Sequence, residues 1–202
     1  MSYILPKNES IFFHIPKTGG GAIKRWLASE LPGIQVQNHD TPESLVRYQK
    51  VSRDLVAEYW TWGVIRDPWA RFVSAWTSRS STPNLERYKR GDTFEEHLLS
   101  CYETPMDELI RFDIILKPQI DYIRSLEDSS LDMDFLINHE NFTKGLKKVT
   151  DHLDIPFPVL PKYNVSADPD KHFSTYYTPE TRDMIAEMYA EDIEYGKYTF
   201  EI

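Results

Sequence analysis

Cysteine is almost missing from the 202-residue sequence, in which Cys101 is the only one. A single cysteine cannot form an intrachain disulfide, and it cannot supply a thiolate cluster for zinc. The sequence therefore excludes a disulfide scaffold and a metal site built from cysteines. A reducing compartment fits this composition best.

Long apolar segments are missing as well. No run of apolar residues approaches the ~18–20 that span a bilayer. The first ten residues lack the basic region and the apolar region of a signal peptide. From these two observations we expect a cytoplasmic protein without a membrane segment.

Positive charge is in deficit. The chain has 23 lysines and arginines against 32 aspartates and glutamates, which gives a net charge of −9. A field of this sign repels nucleic acids and anionic membranes over most of the surface. We therefore expect no nucleic-acid partner, and an anionic ligand requires a local basic site.

The remaining composition is that of an ordinary soluble protein, with 41% hydrophobic and 27% charged residues. A chain of this length usually forms one domain, which buries roughly 70% of its unfolded surface. Internal repeats and low-complexity segments are absent from the sequence. We predict a single domain over residues 1–202.

Short apolar runs alternate with segments of helical periodicity along the chain. The runs predict strands at 10–15, 59–65 and 134–138. The predicted helices lie after the glycines at 19–21, over about 41–48, from 67 onward, near 93–101, within 105–125, over 142–152 and from 178 to about 196. This alternation predicts an α/β fold with a central, mainly parallel sheet flanked by helices.

A glycine-rich loop joins the first predicted strand to the first predicted helix. It has the sequence Pro16-Lys17-Thr18-Gly19-Gly20-Gly21. Such a junction offers backbone N–H groups and the positive end of the helix dipole to an anion, and Lys17 adds a full charge. Lysine precedes the glycines, so the loop is P-loop-like without being a Walker A motif. The loop predicts a phosphate site, and the alternative is an ordinary strand-to-helix turn.

A second cluster of polar residues follows the strand at 59–65. Arg66 stands at the end of that strand, and Ser74 lies two turns into the next helix. A guanidinium and a hydroxyl in these places are suited to hold one phosphate. The alternative is that Arg66 and Arg71 only pair with surface acids.

Together the two motifs resemble those of the sulfotransferases that use 3′-phosphoadenosine 5′-phosphosulfate (PAPS). The similarity is to the carbohydrate-type group, family 2, with its heparan, chondroitin and dermatan O-sulfotransferases and small bacterial relatives. Residues 12–20 (FFHIPKTGG) resemble the 5′-phosphosulfate loop of this family. Residues 64–76 (VIRDPWARFVSAW) resemble its 3′-phosphate motif. Weaker similarity continues to the C-terminus, so the resemblance covers nearly the whole chain.

The resemblance implies a role for each residue of the two motifs. Lys17 would contact the bridging oxygen and the 5′-phosphate oxygens of PAPS, while Arg66 and Ser74 would hold the 3′-phosphate. Backbone donors to the 5′-phosphosulfate would come from Thr18, Gly19, Gly20, Gly21 and Ala22. Relatives commonly have threonine or serine after the glycine pair, whereas this chain has Gly21-Ala22 and offers only backbone amides there.

The acceptor hydroxyl needs a general base, and histidine, with an unperturbed pKa near ~6.5, suits neutral pH. His39 lies just ahead of the helix start at Thr41. It resembles, in position, the catalytic histidine of the heparan-type O-sulfotransferases and is the first candidate. His139 is the second, because it follows a predicted strand at the edge where α/β sheets bind ligands. His14 is expected to be packed within the first strand.

The resulting expectation is a PAPS-dependent sulfotransferase that acts on a hydroxyl of a carbohydrate or small-molecule acceptor, without a metal ion. Two alternatives stay open at this stage. One is a P-loop-type nucleotide kinase, since phosphate loops are shared by many functions. The other is a catalytically silent nucleotide-binding module, suggested by Gly21-Ala22.

Overall fold

The computed structural model describes residues 2–36, 41–49, 51–81, 91–124, 133–160 and 171–201. The chain forms two compact units. The first consists of Met1–Ile65 and Gln119–Asn164, and the second of Arg66–Pro118 and Val165–Ile202. The prediction of a single domain stays a prediction.

A five-stranded sheet with the order β3-β1-β2-β4-β5 lies in the first unit. Its strands are β1 (Tyr3–Leu5), β2 (Ser10–Phe13), β3 (Ile34–Gln35), β4 (Trp60–Ile65) and β5 (Phe135–Asn138). β4 pairs in parallel with β2 and with β5, whereas β1 is antiparallel to β2 and to β3. The other four strands therefore point in one direction, and only β1 runs against them. This confirms the predicted α/β fold with a mainly parallel sheet.

Nine α-helices occur within the described residues. They are α1 (Gly20–Glu30), α2 (Pro42–Gln49), α3 (Arg53–Glu58), α4 (Pro68–Ser81), α5 (Phe94–Tyr102), α6 (Met106–Phe112), α7 (Phe142–His152), α8 (Pro179–Met188) and α9 (Ala190–Gly196). The first unit contains α1, α2, α3 and α7, and the second contains the other five. The predicted helix starts after Thr41, Asp67 and Thr178 are confirmed to within a residue.

The strands β2 and β4 lie in the interior of the sheet because they carry apolar side chains on both faces. Every residue of β2 is buried, and so are all residues of β4 after Trp60. Phe12 lies opposite Trp62 in the parallel register, with 4.6 Å between their ring centroids. Trp62 also donates a hydrogen bond from Nε1 to Ser10 Oγ across 3.1 Å. Such continuous apolar strands are typical of parallel sheets covered on both faces.

Helices cover both faces of this sheet in the first unit. Successive residues of a strand point to opposite faces. Phe12 accordingly packs in one cluster with Leu27 of α1 and Leu146 of α7. Phe13 packs in another cluster, with Leu45 of α2. Because successive side chains of β2 point to opposite faces, helices on both faces of the sheet pack against this one strand.

The second unit has a helical core. The apolar stripe of α4 (Trp69, Phe72, Val73 and Trp76) packs with residues of α5 and α8. The last predicted helix is interrupted, because Tyr189 has φ −124° and ψ 33°, and α9 starts after it. The Tyr189 hydroxyl donates to the carbonyl of Leu116 at 2.8 Å. Tyr189 is thus a buried residue that separates α8 from α9 and is held in place by this hydrogen bond.

Two arginines are buried in the second unit. Arg79 is fully buried and forms an ion pair with Asp113. Burial lowers the pKa of Arg79 and raises the pKa of Asp113, since both charged forms lose water. Arg71, only 3% exposed, donates through Nη2 to the carbonyls of Ile115 and Lys117 at 2.7 and 2.6 Å. Both guanidinium groups are therefore structural, and Arg71 is not a surface residue.

We expect Asp113→Asn to lower the free energy of unfolding by about 3–5 kcal/mol, because it leaves the buried charge of Arg79 without its counterion. Urea denaturation measures this loss. The matched control is Asp107→Asn, which breaks the Asp107–Arg111 pair, whose side chains are more than two-thirds exposed. Equal losses in the two variants would contradict the assignment. Arg79→Met combined with Asp113→Leu should recover much of the loss.

Candidate active site

The loop between β2 and α1 contains two residues with left-handed backbone. Lys17 has φ +68° and Gly19 has φ +85°. Glycine adopts this conformation readily, whereas a lysine held there costs about 1–3 kcal/mol. Strain of this kind is typical of functional loops. The lysine of the predicted phosphate site therefore stands at a strained backbone position.

Side-chain and backbone hydrogen bonds hold the shape of this loop. Thr18 is buried, and its hydroxyl donates to the carbonyl of Ile15 at 2.9 Å. The Ala22 N–H donates to the carbonyl of Gly19 at 3.1 Å, in the first turn of α1. Gly19 is the N-cap residue of α1 and is exposed, with no side chain to cap the helix. The N-terminal end of α1 is thus formed by backbone alone.

His14 lies against Gly20 of the loop. It follows β2 directly and is half-buried, with its ring stacked 6.0 Å from that of Phe12. A Cβ atom on Gly20 would lie 2.2 Å from His14 Cδ2, so the ring fills the space that a side chain on Gly20 would need. The expectation of a packed His14 is confirmed, although the strand ends at Phe13.

His139 lies against the exposed glycine of the same loop. A Cβ atom on Gly19 would be 3.5 Å from His139 Cδ2 and 3.6 Å from its Nε2. His139 opens a short 3₁₀ turn immediately after β5, and the Asn138 side chain accepts a hydrogen bond from the Glu140 N–H at 3.1 Å. The second candidate base is therefore a neighbour of the glycine loop.

The residues predicted to bind the 3′-phosphate lie in the second unit. Arg66 directly follows β4 and is half-buried, as is Ser74 within α4. Asp67 Oδ1 accepts a hydrogen bond from the Ala70 N–H at 2.9 Å and so caps α4. This cap fixes where the helix begins, and hence the backbone next to Arg66.

The role of the half-buried Tyr177, whose hydroxyl lies near the start of α4, was not predicted. The Tyr177 hydroxyl donates to the carbonyl of Trp69 at 2.9 Å. Burial raises the pKa of Tyr177 well above its usual value, and the charge of Asp67 raises it further. The phenol therefore stays protonated at all physiological pH values and works as a hydrogen-bond donor. It lies in the segment 176–180, which belongs to the weaker similarity described above.

The first candidate base, His39, lies outside the described residues, which break off at Val36 and resume at Thr41. The helix start that follows it is described. The Thr41 hydroxyl accepts from the Ser44 N–H at 3.2 Å, and the Ser44 hydroxyl accepts from the Thr41 N–H at 2.8 Å. The predicted cap at Thr41 is confirmed, while the role of His39 stays a prediction.

Neither a metal site nor a membrane-spanning helix is found within the described ranges. Within them, no three His, Cys, Asp or Glu side chains are grouped so that they would hold a metal ion. In the same part of the chain, no helix combines the length and the apolar character needed to cross a membrane.

We expect Gly20→Ala to lower the free energy of unfolding by about 1–3 kcal/mol, because the new methyl group overlaps the His14 ring. Chemical denaturation of the two single variants and the double variant measures this overlap. In a His14→Ala background the same change should cost much less. An equal cost in both backgrounds would show that the ring is not the obstacle.

Comparison with known proteins identifies the family. The model of the Sulfotransferase family matches residues 2–199. Curated proteins and solved structures gave no significant match. Since the match covers nearly all of the sequence, the predicted resemblance is confirmed: the chain belongs to the sulfotransferase family and is a transferase of sulfuryl groups.

Proposed function

We propose that the protein transfers the sulfuryl group of PAPS to a hydroxyl of a carbohydrate or small-molecule acceptor. The observation that carries this proposal is the glycine loop at the start of α1, with the left-handed Lys17 beside it, in a chain of the sulfotransferase family. The loop offers the N–H groups and the helix dipole that bind a phosphate-like anion. The net charge of −9 disfavours a long polyanionic acceptor.

In the proposed reaction the acceptor oxygen forms a bond to sulfur, while the bond from sulfur to the 5′-phosphate oxygen breaks. Negative charge then grows on the departing phosphate oxygen. Lys17 and the N–H groups of the loop stabilise that charge, which is greater in the transition state than in the bound donor. Their contribution is therefore to the rate more than to binding.

Arg66 and Ser74 are the proposed ligands of the 3′-phosphate. The arrangement around α4 supports this choice, because the neighbouring Arg71 already donates to the carbonyls of Ile115 and Lys117. Arg71 therefore stabilises the fold and is not the proposed phosphate ligand. Arg66 is the arginine of this motif that stands at the end of a strand, ahead of the cap formed by Asp67.

His39 is the proposed general base, which takes the proton of the acceptor hydroxyl as the bond to sulfur forms. Its support is its place in the sequence. It stands between the two phosphate motifs and just ahead of α2, where the resemblance puts the catalytic histidine.

Nucleotide selectivity tests the donor. We expect PAPS and adenosine 3′,5′-bisphosphate to raise the melting temperature, and ATP with Mg²⁺ to have no effect, because a ligand stabilises the fold that binds it. Arg66→Ala should weaken adenosine 3′,5′-bisphosphate about 10-fold or more and leave adenosine 5′-phosphosulfate nearly unchanged. A response to ATP alone would favour a kinase, and binding without turnover would favour a silent module.

Replacement of the base tests the mechanism. We expect His39→Ala to lower kcat by ~10²–10⁴-fold while the affinity for PAPS changes little. The acidic limb of the pH–rate profile should vanish as well, since it reports protonation of this imidazole. His152→Ala is the matched control, because His152 is exposed at the end of α7 and stacks on Trp60. Near-native turnover of His39→Ala would remove His39 from the mechanism.

A further inference from the structure

Two histidines lie against two neighbouring glycines of the loop, and their surroundings differ. Gly20 is buried, and the half-buried His14 ring packs on it. Gly19 is exposed, and the half-buried His139 ring lies beside it. Of the two imidazoles, His139 is therefore the one that lies beside an exposed glycine.

The fold holds the His139 ring in place. The ring of Phe142 lies edge-on to it, with 6.1 Å between the centroids and 63° between the planes. Phe142 Cε2 is also 3.5 Å from the position of a Cβ on Gly19. β5, which ends just before His139, is fixed to β4 by Asp134, whose Oδ2 accepts from the Thr61 N–H and hydroxyl at 2.6 and 2.7 Å. The imidazole is therefore preorganised next to the loop.

His139 Nε2 lies 3.6 Å from the position that a Cβ on Gly19 would occupy. A group seated on the exposed side of Gly19 is then within hydrogen-bonding reach of this nitrogen. Such a group would also meet the positive end of the α1 dipole, and the N-cap of α1, Gly19, lies two residues after Lys17. An anionic oxygen satisfies both the imidazole N–H and the positive end of the α1 dipole.

We propose that His139 is a further binding residue of the loop and donates a hydrogen bond from Nε2 to the 5′-phosphosulfate of the donor, beside Lys17. The inference rests on the proposed function and deepens it. A bound anion favours the charged form of a neighbouring imidazole. Occupation of the loop by an anion must therefore raise the pKa of His139.

A comparison of two nucleotides isolates the contact. Isothermal titration gives the Kd of adenosine 3′,5′-bisphosphate and of adenosine 3′-phosphate, which lacks the 5′-anion. We expect His139→Ala to raise the Kd of the bisphosphate about 10-fold or more, because the variant loses a hydrogen bond to a charged group. The affinity for adenosine 3′-phosphate should change less than about twofold, because the lost contact is absent there. Lys17→Ala should show the same selectivity, and His152→Ala should show no effect on either nucleotide.

Proton NMR of the histidine Cε1–H signals separates binding from packing. In the wild-type protein, adenosine 3′,5′-bisphosphate should raise the pKa of His139, and adenosine 3′-phosphate should not. A direct hydrogen bond should make this rise larger for His139 than for His14, which packs on Gly20. His139→Gln, which keeps an N–H donor and most of the bulk, should retain more affinity for the bisphosphate than His139→Ala.

The outcomes distinguish this inference from the proposed function. If Lys17→Ala weakens the bisphosphate selectively but His139→Ala weakens neither nucleotide, or both alike, the inference is wrong and the proposed function stands. A loss of kcat at unchanged affinity for the bisphosphate would also overturn it and place His139 on the acceptor side. If the wild-type protein binds neither the bisphosphate nor PAPS, both proposals fail.

Discussion

The reversal of the chain between Phe13 and Gly20 is the constraint on which the candidate site depends. It requires left-handed backbone at Lys17 and at Gly19, and the lysine is held there at a cost of about 1–3 kcal/mol. The Thr18 hydroxyl, bound to the Ile15 carbonyl, supports the turn from within. The buried residues of α1, Ile23, Trp26 and Leu27, fix its other end in the core of the first unit. A strained loop is thus anchored at both ends by buried structure.

Few positive charges are placed where they could bind an anion. A chain of net charge −9 attracts an anionic ligand only at local sites of positive charge. Arg71 and Arg79 are not available, because they are buried and satisfy carbonyl groups and Asp113. In the two motifs proposed to bind phosphate, the other cations are Lys17 at the loop and Arg66 ahead of α4. The backbone N–H groups of α1 add hydrogen-bond donors and the positive end of the helix dipole.

Much of the fold could be predicted because its signals are local. Apolar runs mark β2, β4 and β5, and polar caps mark the starts of α2, α4 and α8. β1 and β3 escaped prediction, since strands of three and two residues show no alternation of their own and exist only through pairing. The break between α8 and α9 was also missed. It lies at Tyr189, whose hydroxyl bond to Leu116 joins residues far apart in sequence.

The candidate site also combines features that the sequence predicts with features that only the structure shows. Lys17 and the glycines were predictable from residue type and order, but the reasons for the glycines were not. Gly19 is required by its positive φ, whereas Gly20 is required because the His14 ring occupies the place of its Cβ. His139 reaches the loop only because β5 pairs with β4 and β4 with β2, which no spacing in the sequence records. The two glycines are therefore required for different reasons. Backbone conformation requires Gly19, and the neighbouring His14 ring requires Gly20. Since the second requirement is a matter of space alone, a relative with a smaller residue in place of His14 would be free of it, while the requirement at Gly19 would remain.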